Sequence, residues 1–575
     1  MKRYWKYIRP YIQYYILGPC FMMMEVVGDV LLPYMLAKII NQGIAEKNVA
    51  YIIKIGAIMG LISVIMAVGG VLGAWFASKA AMNFGADLRM DLFEKIQQFS
   101  FQNIDNFSTG SLITRLTNDI TQIQNMIMMT LRMCLRSPGI LIGAMVMAFV
   151  ISPKLAAIFI IVLPVLAVLI VVIMRRAFPQ FRTLQEKLDA LNSCIQEGLV
   201  GIRLIKSFVR GDYEEMRFEK RNQQLKEANL TAMKTMLLYT PLMTLALNIT
   251  TVVVVWSGGN MIVAGNMQVG DLTAFTNYIV QIMSSLTMLS IAFLNWARAI
   301  ASFRRVGEVL DEKIDLTDEN AKHKDRAVCE GSVEFQNVSF RYYKNSPEWV
   351  IENISFKLEA GKTLGIIGST GSGKSTLVSM IPRLYDTDEG TVLVDGINVR
   401  DYGLKPLREG IGMVLQNNTL FSGSITENLK WGDEHADENA VRTAAQNAQA
   451  AGFIDSFKDG YRTRLEQSGN NVSGGQKQRL CIARALLKCP KILILDDSTS
   501  AVDTATERAI REALHSEYKD MTKIIIAQRI RSVMDADEIL VLDNGKTAGF
   551  GTHEQLLADC PVYREIYDVQ NGREE

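Results

Sequence analysis

The chain has 575 residues, too many for one hydrophobic core, and 61 basic against 60 acidic side chains leave a net charge of +1. This balance provides no general attraction to nucleic acid, so no nucleic-acid partner is predicted. Seven cysteines are scattered without C-x-x-C spacing, which argues against a disulfide framework and a zinc site. Apolar runs dominate residues 1–300, whereas residues 331–575 have the composition of a soluble α/β domain.

Six apolar stretches in the first half approach the roughly 20 residues that a membrane-spanning helix needs. They lie near 14–41, 52–76, 127–151, 155–175, 237–264 and 271–297. The short loops after the third and fifth stretches contain almost no Lys or Arg, whereas residues 175–236 contain twelve. The positive-inside rule therefore predicts a multi-pass protein of the plasma membrane whose N-terminus and long segments are cytoplasmic.

Two long segments between the spans, residues 77–126 and 176–236, have helical apolar spacing and few helix breakers. Each is predicted to form two helices that leave the membrane and return. Their turns are expected near 102–109 and 210–214, where they could dock onto a cytoplasmic domain. The alternative is a pair of solvated helical loops without such a contact.

Two carboxylates lie inside the first predicted span. Glu25 and Asp29 are four residues apart and share one face of a helix. Charges at membrane depth are costly and usually face a cavity or a partner. The pair could line a substrate pathway that favours cations or takes up protons, or it could pair with a buried Arg or Lys of another helix. The sequence leaves both alternatives open.

The membrane pattern ends in a polar, charged stretch, so we predict a membrane domain over 1–301, a linker over 302–330 and a nucleotide-binding domain over 331–575.

Within the predicted nucleotide-binding domain, an apolar run at 364–367 precedes a sequence of the form G-x-x-x-x-G-K-[ST], and the apolar residues 377–378 follow it. Strand, glycine-rich loop and helix start form a phosphate-binding loop, whose backbone N–H groups surround phosphate oxygens. The loop residues are Gly368, Ser369, Thr370, Gly371, Ser372, Gly373, Lys374, Ser375 and Thr376.

Two further motifs follow in the second half. The segment Ser473-Gly474-Gly475-Gln476 lies between the phosphate-binding loop and the apolar strand 492–495. That strand ends at Asp496, which places a carboxylate at the C-terminal edge of a sheet, where a Mg²⁺ ion bound to nucleotide would be held.

These motifs resemble those of ABC exporter half-transporters, in which one six-helix membrane domain is fused to one ATP-binding cassette. The signature at 473–476 is the most specific element, and the run Phe107 to Asp119 is similar to the first cytoplasmic loop of these exporters. The resemblance implies a membrane domain of six transmembrane helices with long cytoplasmic extensions and an α/β P-loop ATP-binding domain. It also implies ATP and Mg²⁺ as cofactors and membrane lipid and a small-molecule substrate as partners.

The resemblance assigns a role to each motif residue. Tyr342 would stack on adenine, and Gln416 would contact Mg²⁺ and face the membrane domain. Mg²⁺ would be bound through Ser375, Gln416 and Asp496. The loop 500–503, which ends at Asp503, would cross to a partner cassette. Two cassettes would enclose two ATP molecules, each between one phosphate-binding loop and the other chain's signature at Ser473, Gly474, Gly475 and Gln476, so the chain is expected to dimerise.

The sequence departs from the family pattern at the hydrolytic step. Asp497 stands where the family has a Glu general base, and Gln528 stands where it has a His. A carboxylate one methylene shorter loses reach, and displacements of about 1 Å can cost roughly 10²-fold in rate. A glutamine can hydrogen-bond phosphate but cannot accept a proton. Upstream, Gln467 replaces another expected Glu, and Val472 replaces the usual Leu.

Two changes at one chemical step predict an ATP site that binds nucleotide but hydrolyses it weakly. The expected function is ATP-driven export of small amphipathic or drug-like substrates by a heterodimer, whose partner half-transporter supplies Glu and His in its own cassette. Alternatives are a homodimer with slow hydrolysis, an exporter of lipid, peptide or siderophore, and an ATP-gated regulator or channel. A soluble ATPase of the DNA-repair type would lack the six spans.

Overall fold

A computed structural model describes residues 2–344 and 346–571 of the chain. Its internal contacts divide the chain into two units, Met1–Ile96 with Gly110–Asp311 and Gln97–Thr109 with Glu312–Glu575. The short segment Gln97–Thr109 thus packs with the second unit, although the chain of the first unit flanks it on both sides.

The first unit is helical. The α-helices are Trp5–Ile8, Ile12–Lys38, Val49–Gln97, Thr109–Thr114, Ile120–Met133, Arg136–Ile151, Pro153–Val200, Ile202–Ser207, Gly211–Leu237, Tyr239–Val263 and Val269–Asp311, with π-helical turns at Ile39–Ile44 and Arg115–Asp119.

Among the described residues, five helical segments are long and apolar enough to cross a membrane. These are Trp5–Ile44, Val49–Gln97, Thr109–Ile151, Pro153–Val200 and Gly211–Val263. The sixth predicted span, near 271–297, lies in the helix Val269–Asp311, where several side chains between 290 and 298 are outside the described residues. The segments expose large apolar side chains such as Val71 and Ile161, each 70% exposed, which suits contact with lipid chains.

Small residues allow the first two membrane helices to approach closely. A Cβ atom at Gly69 would lie 3.1 Å from the carbonyl oxygen of Phe21, and one at Gly73 would lie 3.1 Å from the carbonyl oxygen of Gly18. Lipid provides no hydrophobic drive between helices, so backbone approach at small residues is a main source of their packing energy.

The structure shifts two predicted boundaries. The last helix of the first unit continues to Asp311, so residues 302–311 of the predicted linker are helical, with Val306 and Val309 fully buried. The turn expected near 210–214 occupies Phe208–Arg210, because a helix begins at Gly211. Two acidic residues in the first turn of that helix, Asp212 and Glu214, stabilise its start because their negative charge interacts favourably with the positive end of the helix dipole.

Within its described residues, the second unit contains twelve strands, numbered in chain order. They are β1 Val333–Phe340, β2 Ile351–Leu358, β3 Thr363–Gly368, β4 Glu389–Val394, β5 Ile397–Asn398, β6 Ile411–Val414, β7 Gly423–Ser424, β8 Arg464–Leu465, β9 Ile492–Asp496, β10 Thr522–Ile526, β11 Glu538–Asp543 and β12 Lys546–Gly551. A four-stranded antiparallel sheet has the order β2-β1-β4-β5, and a six-stranded sheet has the order β12-β11-β3-β10-β9-β6.

In the larger sheet, β11, β3, β10, β9 and β6 run parallel, so their C-terminal ends meet at one edge. The register pairs Ile366 with Ile526, and Ile526 with Asp496. This edge therefore brings the phosphate-binding loop after β3 next to the carboxylates after β9. The helices around the sheets are Phe101–Asp105, Lys374–Ser379, Leu404–Glu409, Ile425–Leu429, Glu438–Asn447, Ala451–Ser456, Gly474–Leu487, Thr504–Ser516, His553–Asp559 and Pro561–Asn571.

Candidate nucleotide site

The phosphate-binding loop connects β3 to the helix Lys374–Ser379, as the sequence predicts. Gly373 has φ 89°, and a Cβ atom there would lie 2.9 Å from the carbonyl oxygen of Val350, so only glycine fits. The Lys374 ammonium donates hydrogen bonds to the carbonyl oxygens of Gly368, at 2.9 Å, and Ser369, at 2.7 Å. Burial lowers the pKa of Lys374 from its ordinary value.

The loop closes one side of a cavity of about 210 Å³. Its lining brings together residues that the sequence placed on separate motifs: Thr370, Gly371, Gly373, Lys374, Ser375, Thr376, Gln416, Asp496, Asp497 and Gln528. Among the described residues, this lining contains neither Glu nor His. The four histidines of the chain, at 323, 435, 515 and 553, lie elsewhere in the sequence.

Oxygen ligands that suit Mg²⁺ line this cavity. The Ser375 hydroxyl donates to a carboxylate oxygen of Asp496 at 2.9 Å, and Gln416 lines the same cavity. Mg²⁺ prefers a few protein oxygens completed by water and phosphate. Burial raises the pKa of Asp496, and the hydrogen bond from Ser375 opposes that shift. These three side chains could hold the ion.

The two positions that depart from the family pattern contact each other directly. The Gln528 amide donates to a carboxylate oxygen of Asp497 at 3.0 Å. Asp497 has φ 49°, a left-handed conformation that Asp tolerates better than most residues. Burial raises the pKa of Asp497, against the hydrogen bond from Gln528. The carboxylate at the general-base position is therefore bonded to an amide that cannot relay a proton.

Tyr342 lies beside the phosphate-binding loop. Its hydroxyl is 2.9 Å from the Thr376 hydroxyl, and its ring meets Phe340 and Tyr385 edge to face at 5.1 and 5.3 Å between centroids. Tyr342 is 37% exposed, which leaves area for stacking against a nucleotide base.

The signature begins a helix. Ser473 caps the helix Gly474–Leu487 by accepting from the Gln476 backbone N–H, and the Gln476 side chain accepts from the Ser473 N–H. Gly475 approaches the following loop closely, since a Cβ atom there would lie 2.7 Å from the Ala501 carbonyl oxygen. Within the described residues, the signature does not line the cavity of this chain's own phosphate-binding loop.

Asp503 has a local role that its motif did not suggest. Its carboxylate caps the helix Thr504–Ser516 by accepting from the Thr506 N–H at 3.0 Å. Backbone hydrogen bonding, above all from Thr506, lowers the pKa of Asp503. The crossing to a partner cassette stays a prediction for this loop.

In the first unit, Arg136 joins the two carboxylates of the first membrane helix. Its guanidinium lies 2.8 Å from Glu25 and 3.4 Å from Asp29. The structure thus shows the second of the two alternatives, an ion pair with another helix. Sequence reasoning missed Arg136, although an arginine within the predicted span 127–151 was a usable signal.

Comparison with known proteins agrees with this architecture. The family description "ABC transporter transmembrane region" matches residues 15–286, and "ABC transporter" matches residues 351–500. The Bacillus subtilis protein "Uncharacterized ABC transporter ATP-binding protein YfiB" is 39% identical over 100% of this chain and 99% of its own length. The "Putative multidrug export ATP-binding/permease protein YgaD" of the same species is 33% identical over 99% of each chain.

A solved structure described as "a bacterial Atm1-family ABC exporter with ATP bound" has the same fold, with a TM-score of 0.81 over 98% of both chains at 24% identity. The predicted fold class, a helical membrane domain plus an α/β nucleotide-binding domain, is confirmed. With its membrane helices fused to an ATP-binding cassette, and relatives matched along its whole length, the chain belongs to the ABC transporter family as a multi-pass membrane transporter with a fused ATP-binding domain.

Proposed function

We propose that this chain is one half of a heterodimeric exporter and that its own ATP site binds nucleotide but hydrolyses it slowly. The observation that carries the proposal is the hydrogen bond between Gln528 and Asp497. A general base must reach the attacking water and must be free to take its proton. Here the short carboxylate is engaged by an amide, and Lys374, Ser375 and Asp496 keep the arrangement that binding needs.

The binding groups support tight retention of Mg-ATP. Lys374 would exchange its two carbonyl partners for the β- and γ-phosphates, and backbone N–H groups of the loop would contact the same oxygens. Mg²⁺, when bound through Ser375, Gln416 and Asp496, would neutralise phosphate charge. Tyr342 would stack on the base. Nucleotide held in this way would act as a clamp between the two cassettes.

The cytoplasmic helix Phe101–Asp105 supports a coupling role for the first predicted turn. This helix belongs to the second unit. The Tyr385 hydroxyl donates to the Asp105 carboxylate at 2.9 Å, and the Asn103 amide donates to the Lys313 carbonyl oxygen at 2.9 Å. Closure of the cassettes would therefore move this helix, and hydrolysis in the partner's site would reopen the dimer.

The cargo we propose is a small amphipathic or drug-like molecule. The support is the printed name of the relative YgaD, which describes multidrug export, and the apolar membrane domain. One guanidinium against two carboxylates leaves the group of Glu25, Asp29 and Arg136 with one excess negative charge. This single excess charge favours a cationic cargo less strongly than two unpaired carboxylates would.

The proposal is tested by Asp497→Asn in the transporter purified with its partner half. This change keeps the shape of the side chain and removes its basicity, so ATP turnover should stay within about twofold of wild type if the carboxylate is not the working base. The matched control is Asp496→Asn, one residue away on the same strand end. The control should weaken Mg-ATP binding, because Asp496 is paired with Ser375.

Abolished turnover in Asp497→Asn would show that this chain's own site hydrolyses ATP and would reject the degenerate-site proposal. Fast turnover by the chain purified alone would instead favour the homodimer. ATP binding without uphill transport in sealed vesicles would favour a regulator or channel.

A further inference from the structure

A second cavity of the second unit lies beside the one that the phosphate-binding loop closes. It has a volume of about 480 Å³, and small-molecule sites measure roughly 300–1,000 Å³. Tyr342 connects the two cavities, because it lines the second while its hydroxyl lies 2.9 Å from that of Thr376, which lines the first. One nucleotide could therefore place its phosphates in the first cavity and its base in the second. The lining of the second cavity is Gln102, Asp105, Asn106, Tyr342, Tyr343 and Lys344.

Three polar side chains of this lining come from one short helix. Gln102, Asp105 and the C-cap residue Asn106 are three or four residues apart on the helix Phe101–Asp105, so they share one face. Among the described residues, the side-chain amides of Gln102 and Asn106 have no hydrogen-bond partner. Each amide therefore has two N–H donors and an acceptor oxygen available to a ligand.

Tyr385 connects this helix face to Tyr342. Its hydroxyl donates to the Asp105 carboxylate at 2.9 Å, and its ring meets the Tyr342 ring edge to face at 5.3 Å between centroids. The Phe101 ring lies 5.9 Å from the Tyr385 ring. Burial and the hydrogen bond to Asp105 raise the pKa of Tyr385, so its hydroxyl stays protonated and remains a donor. A base stacked on Tyr342 would thus meet polar side chains that are held in place relative to it.

The polar groups of the lining match the edge of adenine. A Gln amide can form two hydrogen bonds to adenine, because it accepts from the exocyclic amine N6 and donates to N7. Guanine has a carbonyl oxygen in place of that amine and gives the amide oxygen no donor there. An ionised Asp105 carboxylate only accepts hydrogen bonds, so it also favours the amine over the carbonyl. The Lys344 ammonium, which would favour a carbonyl, is exposed to solvent.

We propose that the helix Phe101–Asp105 reads the base of the nucleotide in this chain's ATP site. Gln102 binds N6 and N7 of an adenine stacked on Tyr342, and Asp105, positioned by Tyr385, disfavours the guanine carbonyl. The site therefore prefers ATP to GTP through a helix that two membrane segments flank in the chain. The readout rests on the proposed binding of ATP at this site but not on how fast the site hydrolyses it.

Equilibrium binding to the transporter purified with its partner half tests the readout. Mg²⁺ is chelated with EDTA, so no nucleotide is hydrolysed, and the binding that is lost in Lys374→Ala is assigned to this chain's site. ATP should bind there about tenfold more tightly than GTP, which follows from one two-bond amide contact to a base. ATP should exceed 7-deaza-ATP, which lacks the N7 acceptor, by a similar factor.

Two variants separate the two readers. Gln102→Leu should bring ATP and 7-deaza-ATP to within about twofold of each other, because the donor to N7 is gone. Asp105→Asn should lower the preference for ATP over GTP, since an amide can donate to the guanine carbonyl, and should keep the preference over 7-deaza-ATP. Gln98→Leu is the matched control, because Gln98 is an exposed amide just before the same helix and outside the cavity lining, and it should change neither ratio.

Equal binding of ATP and 7-deaza-ATP by the unaltered transporter, or a preference that persists in Gln102→Leu, would overturn the proposal. An equal loss of all three nucleotides in Gln102→Leu would also overturn it, because it would mean that Gln102 supports the structure and not the base contact. Rapid hydrolysis at this site under turnover conditions would reject the slow-hydrolysis proposal and leave the base preference, which is measured without turnover, intact.

Discussion

Replacing Ser473 with alanine is expected to lower ATP turnover of the assembled transporter by about 10²-fold, the usual effect of losing one donor to a transition-state oxyanion. In the proposed dimer this serine contacts the ATP held by the partner's phosphate-binding loop. It lies at the N-terminus of the helix Gly474–Leu487, where the positive helix end also favours phosphate. The loss should appear although Asp497→Asn in the same chain is nearly silent, and this asymmetry distinguishes the proposed heterodimer from a symmetric one.

Ser473 also caps its helix, so a purely structural loss must be separated from the chemical one. A cap replaced by alanine costs about 0.5–2 kcal/mol of stability. Thr552→Ala is the matched control, because Thr552 forms the same capping box with Gln555 at the helix His553–Asp559. Turnover that falls equally in both variants, or that survives in Ser473→Ala, would contradict the assigned role.

Replacing Arg136 with leucine is expected to destabilise the transporter by about 3 kcal/mol, the lower end for a broken buried ion pair. The change leaves Glu25 and Asp29 without their shared cation inside the membrane domain. The lower end applies because the three side chains are 22–32% exposed rather than fully buried. Equilibrium unfolding of the solubilised protein in mixed micelles measures the loss.

The control for Arg136 removes all three charges. Arg136→Leu combined with Glu25→Leu and Asp29→Leu should recover most of the lost stability, because apolar residues often replace a buried ion group at little cost. If the single change costs less than about 0.5 kcal/mol, the value of an exposed surface pair, the group is solvated and does not hold the helices together.

Local motifs were predictable because their chemistry lies within a few residues. The spacing from Gly368 to Ser375 dictates strand, loop and helix start, and the capping box of Ser473 and Gln476 follows from the same kind of short-range pattern. The sequence also located the two departures at Asp497 and Gln528. Their direct contact was not predictable, because it depends on the parallel pairing of β9 with β10.

Contacts between distant segments account for what the sequence missed. Arg136 reaches Glu25 across more than 100 residues, and Gln281 reaches Asp29 across more than 250. Apolar periodicity reports which residues face lipid or core but not which helices are neighbours. The turn near 102–109 was expected to dock onto a cytoplasmic domain, and Gln97–Thr109 does belong to the second unit, but the partner of a given residue, such as Tyr385 for Asp105, leaves no periodic signal.

The chemical form of nucleotide retained after turnover tests the account most directly. The transporter, purified with its partner, is allowed to turn over Mg-ATP, separated rapidly from free nucleotide and analysed for what stays bound. Because Asp497 is an impaired base, the account predicts about one intact ATP per dimer, and Lys374→Ala in this chain should remove it. Retention of ADP in its place, or intact ATP that persists in Lys374→Ala, would contradict the proposal that this chain's site is a non-hydrolysing clamp.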